Sequence, residues 1–333
     1  MSRIVYIAPR PGSNTGGNKI IFRHVEALQS LGYDAVVRSP ARLEPPTWFK
    51  HSAAMEDASR PIADDDILVL AEDGRSVLAR CALLPNRKVI FCQNPYALTS
   101  YGLASLPDDL QAKYRTFMAC NTGVAGLIAR YFDYETISVV PAFADERTFR
   151  PTPKVSVIAC TPRKRPGEYR TIRYMFARLY TGPTPWHWDA LETATEIETA
   201  AAMGRASLFL SLAKMEAHSI TILEAMASQC LIAGFTGIGP REYTSPVNGF
   251  WADEDDCEAA ALALVHAATL ADQGGGAAAL MRHSAGATAA RWTHAGFVET
   301  LSSFWRDQMG VTPDALQIEP GQVQARVPGQ EPP

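Results

Sequence analysis

The chain has 333 residues, 47% of them hydrophobic and 20% charged, and a formal net charge of −4 at pH 7. That length can form two domains with full cores, and the composition is that of an ordinary globular protein. Neither half of the sequence has the basic excess of a general nucleic-acid or anionic-membrane binder, and no apolar run is long enough to span a bilayer.

The cysteine usage and the first residues favour a cytoplasmic location. None of the six cysteines forms a CxxC pair, and several lie in apolar runs, where a free thiol behaves as a small hydrophobe. The N-terminal MSRIVYIAP lacks the long apolar core of a secretory signal. We therefore expect reduced, structural thiols and a cytoplasmic protein.

The chain opens with a strand, a glycine-rich loop, a helix and a second strand. Ile4–Ala8 and Asp34–Arg38 are the predicted strands, and Lys19–Leu31 is the predicted helix. This order is a βαβ unit, which predicts a parallel α/β sheet. The loop Pro9–Asn18 has neither the GK[ST] of a P-loop nor the G-x-G-x-x-G of a dinucleotide fold. Its pair Gly16–Gly17 forms either a tight turn or a backbone that passes close to a ligand.

Two more strands are predicted in this half, at Ile67–Ala71 and Val89–Cys92, whereas residues 40–66 have an irregular sequence rich in Pro, Arg and Asp. Gln93 and Asn94 directly follow the second of these strands. Ligands of parallel sheets bind beyond the carboxyl ends of the strands, so both amides are placed to hydrogen-bond a polar ligand.

A second α/β unit begins after a proline-containing hinge that ends at Pro153. Its first predicted strand, Val155–Cys160, is followed by three consecutive cations, Arg163, Lys164 and Arg165. A run of cations is usually a solvated surface. Directly after the first strand of a nucleotide-binding domain it can instead neutralise a diphosphate, and the sequence leaves open which of the three does so.

The segment Met215–Met226, MEAHSITILEAM, follows a predicted buried strand at Ala206–Leu212. Ser219 is a favoured N-cap residue, so a helix is predicted to begin there. Glu216 then lies in the loop and Glu224 in the second helical turn. A carboxylate that faces a wet cleft from this helix would contribute little to the stability of the core.

The amides of Ile220, Thr221 and Ile222 would be unpaired at this helix start, and an open helix N-terminus attracts phosphate. Such amides with a carboxylate on each side suit a diphosphate joined to two polyols, as in a nucleotide sugar. Two glutamates at this spacing are, by themselves, more often part of a solvated face. The buried strand Cys230–Ala233 and the glycine-rich turn after it shift the balance towards a binding site.

This region resembles the E-x7-E signature of GT-B glycosyltransferases, specifically of the large retaining family four. Glu216, Glu224–Ala227 (EAMA), Gly237 and Asn248–Gly249 match the family pattern in order, over about 40 residues. The pair Gly16–Gly17 resembles the N-domain GG loop of the same family, which approaches the donor phosphate and sugar.

The resemblance implies the GT-B fold, in which two doubly wound, Rossmann-like α/β domains with parallel sheets face a central cleft. Residues 1–150 would form the acceptor-side domain, and residues 151–292 would bind the nucleotide sugar. Residues 293–310 would pack back on the N-terminal domain as a helix. Pro, Gln and Gly dominate residues 311–333, which are therefore predicted to be a disordered tail.

The resemblance also implies transfer of a sugar from a nucleotide-sugar donor to an acceptor hydroxyl, with retention and without a metal or cofactor. The base, the sugar and the acceptor stay open. Catalysis would rest on stabilising the departing diphosphate, with Arg163, Lys164 and Glu216 as catalytic residues. The expected donor-binding residues are Gly16, Gly17, Asn94, Arg165, His218, Ser219, Ile220, Thr221 and Glu224.

Two acidic runs, Asp64–Asp66 and Asp253–Asp256, resemble the metal-binding D-x-D motif of GT-A enzymes. The surrounding GT-A pattern is missing from the sequence at both places. Both runs are therefore predicted to be solvated turns, and the sequence gives no support for a metal.

Two alternative functions stay open. A nucleotide-sugar epimerase of the same fold would need acid and base groups around the sugar ring, for which Glu216 and His218 are candidates. A non-catalytic nucleotide-sugar-binding protein would fit the lack of a histidine near Asn94, where many members of the family carry one.

Overall fold

The computed structural model describes residues 2–8, 10–39, 45–134 and 137–313. The described residues form two parallel β-sheets, one in each half of the chain, and helices connect most successive strands. The predicted disordered tail lies outside the described residues from position 314 onward.

In the described part of the N-terminal half, seven parallel strands pair in the order β3-β2-β1-β4-β5-β6-β7. The strands are β1 (Ile4–Ile7), β2 (Ala35–Arg38), β3 (Met55–Glu56), β4 (Ile67–Ala71), β5 (Arg87–Cys92), β6 (Thr116–Ala119) and β7 (Ser138–Val139). The strand order reverses between β1 and β4. The loops after these two strands therefore open a crevice at the carboxyl edge of the sheet, where α/β proteins bind ligands.

In the described part of the C-terminal half, five parallel strands pair in the order β12-β11-β10-β8-β9. The strands are β8 (Val155–Cys160), β9 (His187–Ala190), β10 (Ala206–Leu212), β11 (Leu231–Phe235) and β12 (Phe250–Ala252). Here the order reverses between β8 and β10. The loops that follow them, residues 161–165 and 213–219, open the second crevice.

Most helices lie between successive strands, and the last three follow β12. They are α1 (Gly16–Ser30), α2 (Arg75–Ala82), α3 (Ala97–Ser100), α4 (Asp108–Gln111), α5 (Thr122–Phe132), α6 (Pro166–Leu179), α7 (Glu196–Arg205), α8 (Ile220–Ala227), α9 (Cys257–Gln273), α10 (Gly275–Ala289) and α11 (His294–Ser303). A π-helical turn, Phe304–Gln308, continues α11.

Alternate residues of β10 enter two different apolar cores. Leu208 and Leu210 pack in one core with α6 and α9, and Phe209 packs in the other with α7, α8 and α10. Successive side chains of a strand point to opposite faces of the sheet. Both faces of the C-terminal sheet are therefore covered by helices, which explains why β10 is a continuous apolar run.

Two local predictions for the N-terminal half differ from the structure. Helix α1 begins at Gly16 rather than at Lys19, because Thr15 Oγ1 accepts a hydrogen bond from Asn18 N at 3.2 Å and caps the helix. The stretch predicted to be irregular contains β3 at the edge of the sheet. A strand of two residues is too short to give a periodic signal in the sequence.

The prediction of a solvated turn at Asp64–Asp66 is wrong for Asp66, which is buried. Arg3 donates to both oxygens of Asp66, at 3.1 and 2.6 Å, and to Glu56 at 2.7 Å. The acidic run therefore ends in a buried ion-pair cluster that anchors the start of β4.

The last described helix returns from the C-terminal half to the N-terminal sheet. Helix α11 packs against α1, and Phe297, Leu301 and Trp305 join the apolar core of the N-terminal half. Arg87 donates to the carbonyl of Met309 at 2.6 Å. The end of the chain thus fastens the two halves together on the side of α1.

Replacing Trp305 with alanine tests this attachment. Trp305 is 0% exposed, so Trp305→Ala should lower the free energy of unfolding by about 3–5 kcal/mol, measured by urea denaturation. The control is Leu280→Ala, at a side chain that is 66% exposed, where we expect a change within about 0.5 kcal/mol. Equal stabilities of the two variants would show that α11 does not support the N-terminal core.

Candidate active site

The carboxyl edges of the two sheets face each other across a cleft that contains a cavity of about 320 Å³. All predicted site residues except Arg165 and Ser219 line this cavity. The lining residues that bear on its chemistry are Gly16, Gly17, Lys19, Asn94, Arg163, Lys164, Glu216, His218, Ile220, Thr221 and Glu224.

Two helix N-termini open on the cavity. Gly16 and Gly17 form the first turn of α1, and a Cβ atom on Gly16 would lie 3.1 Å from Ile220 Cδ1 at the start of α8. Glycine therefore lets the two helices approach. Helix α8 begins after Ser219 as predicted, but the Ser219 hydroxyl is buried against Thr221 Oγ1 at 3.2 Å and caps no amide of the described helix. The first amides of α8 are thus open to an anion, although Ser219 itself does not line the cavity.

Arg163 and Lys164 both lie on the cavity wall but differ in their contacts. Lys164 Nζ donates to Glu216 Oε1, and the Lys164 side chain is 39% exposed. Arg163 is exposed and forms no hydrogen bond or ion pair with any residue that the structure describes. Arg163 is therefore available to an anionic ligand, whereas the charge of Lys164 is partly neutralised.

Glu216 and His218 each present a polar atom without a partner. Within the described chain, neither Glu216 Oε2 nor His218 Nε2 has a hydrogen-bond partner, although both atoms are buried. Burial lowers the pKa of His218 to about 4, so its imidazole is neutral at pH 7. Buried polar atoms in proteins usually have partners, which makes these two atoms suitable for ligand hydroxyls.

Asn94 lies on the N-terminal side of the cavity and is held there by Glu72. The amides of Tyr96 and Ala97 donate to Asn94 Oδ1 at 2.9 and 3.1 Å. Glu72 Oε1 accepts the backbone amide of Asn94 at 2.7 Å, and burial raises the pKa of Glu72 to about 7. The Nδ2 atom, 3.5 Å from the Met215 carbonyl, is the Asn94 side-chain atom left for a ligand.

Glu224 is buried and paired with a cation from the opposite half of the chain. Lys19 Nζ lies 2.7 Å from Glu224 Oε1 and 3.2 Å from Glu196 Oε1. Arg23, one turn further along α1, donates to Glu196 Oε2 at 2.8 Å. These four residues, which we call the Lys19 cluster, join α1 to the start of α7 and to the second turn of α8.

The charges of the Lys19 cluster stabilise each other. Burial opposes the charge of Lys19, but Glu224 and Glu196 outweigh it and raise the pKa of Lys19. Burial also raises the pKa of Glu224, and the attraction of Lys19 offsets only part of that effect. The ionised form of Glu224 therefore depends on Lys19.

Arg165 does not line the cavity, contrary to the prediction that it binds the donor. Its side chain is fully buried and donates to Glu168 at 3.1 Å, to Glu254 and to Asp255. These contacts also show that the run Asp253–Asp256 is not simply a solvated turn. Arg165 instead holds the loop after β8 to the loop after β12.

The cleft residues that were missed from the sequence include Lys19, Trp48, Phe149 and Glu196. The Lys19 ammonium lies 6.0 Å from the centre of the Trp48 ring and 5.6 Å from that of Phe149. The position of Lys19 two residues after a glycine pair was the one local signal. The carboxylate partners of Lys19 lie in the other half of the sequence, and no local pattern indicated that they would contact it.

Among the described residues, no group of three or more His, Cys, Asp or Glu side chains is arranged to hold a metal ion. The described helices are also each too short or too polar to cross a bilayer.

Comparison with known proteins gives matches of low sequence identity and high coverage. No protein-family model matches the chain. An alpha-1,6-glucosyltransferase of Actinobacillus pleuropneumoniae is 23% identical over 232 residues, which are 67% of this chain and 69% of that protein. HepE of Anabaena, solved with UDP and glucose, is 14% identical and superposes with a TM-score of 0.69 over 91% of this chain and 99% of HepE.

A glycosyltransferase from Rickettsia africae is 12% identical and superposes with a TM-score of 0.65 over 92% of this chain and 98% of that one. The chain has the GT-B fold. The predicted pair of parallel-sheet domains that face a cleft is thereby confirmed. The curated relative and the solved neighbours together support glycosyltransferase activity for this GT-B protein.

Replacing Lys19 with methionine should destabilise the protein, because Glu224 and Glu196 would then be buried without their shared cation. We expect a loss of about 3–5 kcal/mol in the free energy of unfolding at pH 7, measured by urea denaturation. The control is the exposed Lys113→Met, with an expected change within about 0.5 kcal/mol.

The pH dependence of this loss gives a second measurement. Glu224 already has a raised pKa in the folded protein, and removing Lys19 would raise it further. A group that binds its proton more tightly when folded favours the folded state as the pH falls through its folded pKa. The deficit of Lys19→Met should therefore shrink on acidification, and a deficit that is constant with pH would contradict an ionic role for Lys19.

Proposed function

We propose that the protein transfers a glycosyl group from a nucleotide sugar to a hydroxyl of a glycan acceptor, with retention at the anomeric carbon and without a resident metal. The observation that best supports this proposal concerns Arg163. This side chain forms no hydrogen bond or ion pair with a described residue, and it lies in the cleft with the open starts of α1 and α8. This arrangement fits a diphosphate, because a guanidinium offers two parallel donors and each helix start offers several amides.

The two glutamates would orient the rest of the donor. We expect the ribose hydroxyls to donate to Glu224, which would share them with the Lys19 ammonium. The transferred sugar would lie on the other side of the diphosphate, within reach of Glu216 Oε2 and His218 Nε2. A neutral His218 can exchange hydrogen bonds with hydroxyls without adding charge to the site.

Catalysis at this site would act on the leaving group. As the bond from the anomeric carbon to the diphosphate oxygen breaks, both electrons leave with the nucleoside diphosphate. The acceptor oxygen bonds to the anomeric carbon, and its proton passes to the diphosphate. The negative charge on the leaving oxygen grows during this step, so Arg163, Lys164 and the helix amides stabilise the transition state more than the bound donor.

The similar proteins support a nucleotide-sugar donor and suggest which donor to test first. HepE was solved with UDP and glucose, and the curated relative is a glucosyltransferase, so UDP-glucose is the first donor to test. A fold alone does not define a reaction. The glucosyltransferase of Actinobacillus and the glycosyltransferase of Rickettsia favour glycosyl transfer over the epimerase and the non-catalytic binder.

The experiment is to incubate the protein with UDP-glucose, and with GDP-, ADP- and TDP-sugars, in the absence of an acceptor. A transferase releases the nucleoside diphosphate slowly to water, whereas an epimerase returns a changed nucleotide sugar. Protein that binds the nucleotide sugars but does neither would contradict the proposal.

Replacing Arg163 and Lys164 together with alanine should lower turnover much more than affinity. Removal of donors that act in the transition state costs about 10²–10³ in kcat. The Kd for UDP, measured by isothermal titration, should rise by about tenfold or less. Lys214→Ala is the control, because Lys214 is an exposed cation of the neighbouring loop that does not line the cavity. Turnover equal to that of the control would show that neither residue takes part in the reaction.

Replacing Glu224 with glutamine tests the ribose contact. Charge-assisted hydrogen bonds contribute about 1.5–3 kcal/mol, so the Kd for UDP should rise about tenfold or more. The same change removes a counter-charge of Lys19, so the urea midpoint should fall as well. A lower midpoint with an unchanged Kd, measured where the variant is fully folded, would leave Glu224 with a structural role only.

A further inference from the structure

A second cavity of about 590 Å³ adjoins the cleft between α5 and the loop that follows β11. Its volume lies in the range of roughly 300–1,000 Å³ that is typical of small-molecule sites. The residues that give it chemical character are Tyr96, Thr122, Arg130 and Tyr131 from the N-terminal half and Glu242 from the C-terminal half.

The second cavity is separated from the cleft by a single layer of backbone. Glu216 and His218 line the cleft, whereas Ala217 between them lines the second cavity. In the same way, Cys120 lines the cleft and Asn121 lines the second cavity. Asn94 also lines the cleft, whereas Pro95 and Tyr96 line the second cavity. The two cavities therefore lie on either side of this backbone layer, which we call the partition.

The partition is held in place by hydrogen bonds. Asn121 Nδ2 donates to the carbonyl of Ala217, and Gly239 N donates to the carbonyl of Glu216 at 2.9 Å. A Cβ atom on Gly239 would overlap the Ala217 carbonyl, so this close approach requires glycine. One of these contacts, from Asn121 to Ala217, joins the two halves of the chain beside the second cavity.

The side chains around the second cavity suit a carbohydrate. Tyr96 and Tyr131 are 40% and 65% exposed, and the Arg130 guanidinium lies 6.0 Å from the centre of the Tyr131 ring. An exposed tyrosine offers an apolar ring face to the C–H face of a sugar and a hydroxyl at its edge. Arg130 and Glu242 add a planar donor and a planar acceptor for sugar hydroxyls.

We infer that the second cavity is a subsite for the acceptor glycan. The sugar unit that receives the glycosyl group would lie in the cleft, and the next unit of the acceptor would occupy the second cavity. The acceptor class is therefore an oligosaccharide or glycoconjugate of at least two sugar units. This inference rests on the proposed transferase function for its link to the reaction.

Gly126 provides a way to fill the second cavity without touching the cleft. It lies on the exposed face of α5, and an added Cβ atom would meet no described atom within 4 Å. Leucine is a better helix former than glycine, so Gly126→Leu should fold. The matched control is Ala129→Leu on the same helix, because Ala129 is exposed and does not line the cavity.

The experiment has a binding step and a kinetic step. Wild-type protein with UDP is applied to a printed array of oligosaccharides, and the best-bound oligosaccharide and its terminal monosaccharide become the probes. Wild type and Ala129→Leu should bind the oligosaccharide at least tenfold more tightly than the monosaccharide, as measured by isothermal titration. Gly126→Leu should lose that difference, and its KM for the oligosaccharide in transfer should rise at least tenfold.

The failure of this inference can be told apart from the failure of the proposed function. If no variant turns over a nucleotide sugar but Gly126→Leu still loses oligosaccharide binding, the proposed function is wrong and the subsite stands. Equal affinities of Gly126→Leu and Ala129→Leu, or no oligosaccharide bound by wild type, would overturn the subsite. If Gly126→Leu does not fold, Tyr131→Ala, at an exposed side chain, decides by the same measurement.

Discussion

The arrangement of the cleft depends on one ammonium group, that of Lys19, held between two carboxylates from the other half of the chain. Lys19 comes from α1, Glu196 from the start of α7 and Glu224 from α8. The contact is buried, so it fixes the distance between the two sheets at the place where their ligand-binding edges meet. A shift of either half would leave a charge both buried and unpaired, which is costly.

This contact contributes more to fixing one arrangement of the two halves than to the free energy of folding. A buried ion pair loses about as much in desolvation as it gains from attraction, so its net contribution to folding is small while its partial removal is expensive. Such a pair selects one relative position of the two halves. It also holds the Glu224 side chain next to the open starts of α1 and α8 before any ligand arrives.

The sequence was informative where the signal is local and misleading where orientation matters. The strand–loop–helix units and the loop position of Glu216 follow from apolar runs and a favoured N-cap residue. The position of Glu224 was predicted correctly, but its partner was not, because Lys19 lies in another helix more than two hundred positions away. For the same reason a wet surface was expected around Glu224, whereas the structure shows a buried ion pair. Ser219 marked the helix start correctly, although its hydroxyl turns away from the helix amides.

The three consecutive cations after β8 show how a fold divides one sequence motif into separate roles. Arg165 turns inward, where Glu168, Glu254 and Asp255 neutralise it and make it a support for two loops. Lys164 turns to the cleft and is partly neutralised by Glu216. Arg163 turns to the cleft and meets no carboxylate among the described residues. The attraction for a diphosphate should therefore fall in the order Arg163, Lys164, Arg165, and this order is set by the acidic partners in neighbouring loops rather than by the cations. The proposed leaving-group stabilisation thus depends on the protein leaving one of three adjacent charges unbalanced.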